Sequence, residues 1–197
     1  GEGNYYLTAS DSDDLTAVFE QIAGEITPSV NVGADAVLTD TMSDYFVFGT
    51  LGSGSGDYSN VTVEVYNATG NGNSPAWEKD NAFVTSGINV SVEGETINVT
   101  GFDYSAYPVV KNDGTWQGKK LVITFPIQPD ADATWGPSGN YDTNAASSAG
   151  LQDSNDQFFT GGMLTDSPEA YVQTYSVDYE FVNVSDRKTL PVVVTSQ

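Results

Sequence analysis

The chain has 197 residues, with 27 Asp and Glu against 6 Lys and Arg and neither histidine nor cysteine, so its formal net charge is −21. That charge excludes a surface for a nucleic-acid phosphate backbone or an anionic membrane. The missing residue types exclude Ser-His-Asp triads, Cys–His pairs, disulfides and His/Cys zinc sites.

A length of 197 suits one domain, or one domain with an attachment. With 39% hydrophobic and 12% aromatic residues, the chain can fill a core. No run approaches the roughly 18 apolar residues of a membrane span, so no membrane insertion is expected. Gly1-Glu2-Gly3-Asn4 has neither the basic nor the apolar region of a secretory leader, and the chain reads as an interior segment of something longer. Abundant Asn, Thr, Ser and Gly with little Lys fits an extracellular, wall-attached or secreted protein that manages without cystine.

In chain order, Asn4-Tyr5-Tyr6-Leu7-Thr8 reads as a short strand. Leu15, Val18, Phe19, Ile22 and Ile26 then recur at spacings of 3 and 4, the period of one helix face. Asp11-Ser12-Asp13-Asp14 supplies capping oxygens before that face, and Pro28 stops it. Leu15, Phe19 and Ile22 are expected to dock this helix on a neighbour. From Ser29 the period switches to two. Tyr45–Phe48, Val61–Val65, Ile88–Val92 with its return at Ile97 and Val99, and Leu121–Phe125 all read as strands. Tyr171–Val184 reads as one long strand with Tyr175, Val177, Tyr179 and Phe181 on one face, and Val192-Val193-Val194 closes the chain. The stretch from Gln128 to about Ser167 is too long for a plain loop and is either functional or hides short strands. The expected fold is an antiparallel β-sandwich, immunoglobulin-like, with one N-terminal α-helix.

Two stretches resemble a known arrangement. NYYLTAS from Asn4, followed by DLTAVFEQIAGEI from Asp14, resembles the last strand and helix of a von Willebrand factor A domain of bacterial surface proteins. AVLTDTMSDYFVF from Ala36, VTGFDYSAYPVV from Val99, GKKLVITFPI from Gly118 and the Thr143-Asn144 to Ser148-Ala149-Gly150 region resemble the β-rich module that follows such a domain in Gram-positive pilin-like and adhesin-like proteins. The resemblance implies a division at residues 1–27 and 28–197, and a non-catalytic stalk module presenting an adhesive domain at the cell surface. Its implied partners are neighbouring domains of the same polypeptide and, through the full-length protein, a host or matrix protein or glycan. The A domain's own metal site would lie upstream and receives no residue here.

Carboxylates are the plentiful catalytic type left, and nothing converges on a reaction, so the chain is expected not to be an enzyme. Calcium is the metal that oxygen ligands would favour, and Asp130, Asp132 and Thr134 alternate as in a calcium loop, although Trp135 stands where the sharp-turn glycine belongs. Trp77, Trp116 and Trp135 sit in polar, glycine-bearing contexts and either stack on sugars or plug the ends of the sandwich. Asn60, Asn67, Asn89, Asn98 and Asn183 each open an Asn-X-Ser/Thr sequon.

The resemblance also implies an intramolecular Lys–Asn amide, which such domains use in place of disulfides. Lys119 shares strand parity with Leu121, Ile123 and Phe125, and Asn183 shares it with Tyr179 and Phe181; Asp103 or Asp40 would supply the acid. Against that stands a Lys119 at a strand end, snorkelling to water. Two other classes stay open: a carbohydrate-binding module, and a subunit of an extracellular filament or surface layer.

Overall fold

The computed structural model describes residues 4–7, 16–22, 32–145, 150–154, 158–160 and 169–177, with the backbone alone for 4–7, 16–22, 158–160 and 176–177. Two five-stranded antiparallel sheets dominate. The first runs β2 (Thr16–Ile22), β11 (Lys119–Pro129), β5 (Thr62–Thr69) and β6 (Ala76–Lys79), with β4 (Phe46–Phe48) paired to the far end of β11. The second runs β14 (Phe158–Thr160), β13 (Gly150–Gln152), β3 (Val37–Thr41), β8 (Thr96–Thr100) and β7 (Asn89–Glu93). Three two-stranded ribbons accompany them: β1 (Asn4–Leu7) with β16 (Thr174–Val177), β9 (Val110–Asn112) with β10 (Thr115–Gln117), and β12 (Gly139–Asp142) with β15 (Glu169–Val172). No helix among the described residues is long and apolar enough to cross a membrane.

The two sheets share one core. β11 sends Leu121, Ile123, Phe125 and Ile127 inward, all at most 2% exposed, to meet Val65 of β5 and Leu38, Ile97, Val99 and Leu151 of the second sheet. Alternation along a strand explains this set, since residues two apart share a face. The other face of β11 is covered as well: Val122 and Lys120 are buried without belonging to that core. Strand β11 therefore has neighbours on both edges and cover on both faces.

The helix expected around Leu15–Ile26 is not what its described part forms. Thr16–Ile22 is a strand, antiparallel to β11 with Phe19 opposite Ile123. Three apolar residues at helical spacing compete there with the open edge of the longest strand, and an edge ladder satisfies seven residues' backbone at once. Thr16, Val18 and Ile22 are β-branched, which favours the same outcome. Leu15 and Ile26 lie outside the described residues.

The long strand expected over Tyr171–Val184 is interrupted at Gln173, where β15 gives way to β16 and a new partner. Ser138 makes the join: its Oγ accepts from Thr174 N at 2.9 Å and from Gln173 Nε2 at 2.8 Å. Tyr179, Phe181 and Val192–Val194 lie outside the described residues. The stretch after Gln128 hides β12, β13 and β14. Between β9 and β10, Asp113 and Gly114 both take positive φ (47° and 79°), the two-residue turn that an Asp-Gly pair favours.

Candidate functional site

Lys119 opens β11 directly opposite Asn67 of β5. Its Nζ donates to Asn67 Oδ1 at 2.5 Å and to Asp80 Oδ2, and lies 5.6 Å from the Phe83 ring centroid and 5.4 Å from that of Tyr107. The Lys119 and Asp80 side chains are each 16% exposed, so the pair is mostly withdrawn from water. The Lys119 hydrogen bond holds the Asp80 carboxyl below the usual carboxylate range, against the opposing effect of burial. Asp80 is placed by its own turn, with Asp80 N donating to Val65 O at 2.8 Å and Oδ1 accepting from Ala82 N at 3.1 Å. One ammonium thus ties β11, β5 and the turn after β6.

A second polar knot lies inside the core. Asp40 sits between Leu38 and Met42 on the inward face of β3 and is fully buried. Asn144, 4% exposed, donates its Nδ2 to Asp40 Oδ2, and its Oδ1 accepts from Thr143 Oγ1 at 2.6 Å. The backbone fixes this pairing: Met42 and Asn144 form an isolated bridge, Ala145 N donates to Thr41 O at 2.9 Å, and Ser43 N donates to Thr143 O at 3.1 Å. A carboxyl and a carboxamide thus meet inside the core, joined by a hydrogen bond.

The residues expected to act with Lys119 are placed apart from it. Asp40 belongs to the second knot. Asp103 caps the short 3-10 turn Tyr104–Ala106, accepting from Ala106 N at 3.1 Å and Ser105 Oγ at 2.5 Å. Asn183 lies outside the described residues. Parity had pointed Lys119 inward, but naming Asn67 and Asp80 requires the cross-strand register, which a sequence does not print. Asn67 had stood out only as a sequon.

The calcium candidates serve a turn. Asp130 Oδ1 accepts from Asp132 N at 2.9 Å, and Asp130 O accepts from Trp135 Nε1 at 2.9 Å. Thr134 follows in the same loop. Among the described residues no three His, Cys, Asp or Glu side chains converge on a cation position.

The tryptophans divide. Trp135 is 6% exposed and packs in the core against Tyr45, Phe46 and Tyr141 at centroid distances of 5.3, 5.9 and 4.9 Å. It is a core side chain. Trp77 and Trp116 are half-buried and stand outside that core. Among the sequons, Asn60 and Asn89 are exposed, each with Nδ2 donating to a nearby carbonyl; Asn98 is half-buried in β8; Asn67 is held by Lys119.

No family model matches the chain, and no curated protein matches it. Among solved structures, it is similar to the adhesive tip pilin GBS104 from Group B Streptococcus agalactiae, with 13% identity and a TM-score of 0.40. That similarity covers 71% of this chain and 22% of the pilin.

Proposed function

We propose that the chain is a load-bearing, non-catalytic module of an extracellular surface protein, an element of a stalk that holds an adhesive domain away from the cell. The observation that carries this reading is the Lys119–Asn67–Asp80 tie across the β11–β5 ladder in a chain without cysteine. Pulling a sandwich apart requires central strands to slide or peel. Side-chain ties across such a ladder resist that motion, which is the mechanical work a disulfide does elsewhere. The resemblance of Asn4–Ile26 to an A domain adds nothing to this proposal, because Thr16–Ile22 is a strand in the module's own sheet.

The chemistry of the two knots differs. Lys119 pairs with Asn67 and with Asp80, whose carboxyl that hydrogen bond holds below the usual carboxylate range. That tie is ionic. Asp40 and Asn144 instead pair a carboxyl with a carboxamide inside the core.

Intact mass and peptide mapping of the native protein test this description of the two knots. The expected result is the full mass, with Asn67 and Asn144 both unmodified. A deficit of one ammonia mapped to either asparagine would overturn the non-covalent account of that tie.

A further inference from the structure

The geometry points to a second function: a binding site for a neutral oligosaccharide on the outer face of the first sheet, with Trp77 and Trp116 as its stacking platforms. The proposal stands apart from the load-bearing reading. The register that sets Lys119 opposite Asn67 continues through Gly118, as Ala68 N donates to Gly118 O at 2.9 Å and Trp116 N to Gly70 O at 2.8 Å. On the other side of β5, Trp77 stands opposite Ala68. Residues opposed across an antiparallel ladder share a face, so both tryptophans flank Ala68 and Gly70 on one side of the sheet. Two strand spacings across and two residues along place their backbones about 12 Å apart. That is the span of a short oligosaccharide rather than a single sugar.

The floor is low and open at Gly70, next to a buried Ala68. A Cβ built on Gly70 would meet nothing closer than the Ala76 Cβ at 3.8 Å. Each ring has a lysine ammonium near it. Lys120 Nζ lies 4.9 Å from the Trp77 centroid and Lys111 Nζ 5.9 Å from that of Trp116. Trp116 Nε1 donates to Gly72 O at 2.9 Å, and Lys111 Nζ donates to the Asn71 and Gly72 carbonyls, each at 2.9 Å. Rings fixed before binding lose little freedom when a sugar stacks on them. The rim carries exposed hydroxyl-reading groups on Asn71, Asn73 and Ser74. Core packing is the ordinary use of a loop tryptophan, and Trp135 serves it; Trp77 and Trp116 lie outside the core cluster. A net charge of −21 repels acidic sugars and leaves neutral ones unaffected.

The test titrates the intact chain with cellohexaose and chitohexaose, followed by tryptophan fluorescence and by heteronuclear NMR shifts. The expected result is saturable binding of at least one of them, with shift changes confined to residues around 68–78 and 111–118. Trp77→Ala and Trp116→Ala should each weaken it by about two- to tenfold. Trp77→Phe and Trp116→Phe should retain more of the affinity, and an unchanged far-ultraviolet spectrum separates lost binding from lost fold. Absence of binding by either sugar at millimolar concentration, or binding that neither alanine variant weakens, overturns the proposal.

Discussion

Replacing Asn144 with leucine tests the interior knot most sharply. Leucine keeps asparagine's branched outline of four heavy side-chain atoms, at a larger volume, but deletes the Nδ2–H donated to Asp40 and the Oδ1 that accepts from Thr143. Each hydrogen bond is worth about 0.5–1.5 kcal/mol net. Asp40 is fully buried and Thr143 is 4% exposed, so water does not replace either bond when the amide goes. The expected loss from the two bonds is about 1–3 kcal/mol. Urea unfolding followed by tryptophan fluorescence measures it, since buried Trp135 reports the collapse of the core. The Asp40→Asn single variant and the Asp40→Asn/Asn144→Leu double variant close a thermodynamic cycle. Residues in direct contact should couple by at least about 0.5 kcal/mol. A cost of Asn144→Leu within about 0.5 kcal/mol of zero, or strict additivity in the cycle, would refute the reasoning.

Two further predictions concern single residues. Tyr104 is 2% exposed, its hydroxyl has no hydrogen-bond partner among the described residues, and burial pushes its ionisation far above the ordinary phenol range. Tyr104→Phe should therefore leave stability unchanged or raise it by up to about 1 kcal/mol in a thermal melt, whereas a clear loss would mean the hydroxyl is satisfied. Asp57 accepts from Ser53 Oγ and Ser53 N on one oxygen and from Ser59 N on the other, which pushes its pKa down to about 2. A depressed carboxylate stabilises the loop fully above the ordinary value of about 3.8 and loses that contribution as pH falls through about 2. An NMR titration placing Asp57 near 3.8 would contradict those contacts.

How much of this was legible follows from what each signal measures. Alternation of apolar and polar residues identified β5, β7, β8 and β11, because burying one face of a sheet writes a period of two into the chain. The same rule turned Lys119 inward. It could not supply Asn67 and Asp80, since cross-strand neighbours depend on which strands pair and in what register. Strands of three or four residues such as β6, β9, β10 and β13 are too short to show a period. The N-terminal segment misled because Val18, Phe19 and Ile22 satisfy a helical spacing and a strand equally well over seven residues. The open edge of β11 decided between them, and an edge is a tertiary fact. Tyr171–Val184 misled for a related reason: its pattern continues across Gln173 while its pairing partner changes.

Mechanical resistance is the central claim, and single-molecule pulling measures it. The native chain, held by handles at its two ends, is compared with Lys119→Met and Asp80→Ala, which keep the strands but remove the tie between β11, β5 and the turn after β6. Forced unfolding reports the barrier to strand separation rather than equilibrium stability. The account predicts a lower unfolding force in both variants, with the contour length released by the fold unchanged. Equal forces in the native chain and both variants would contradict it.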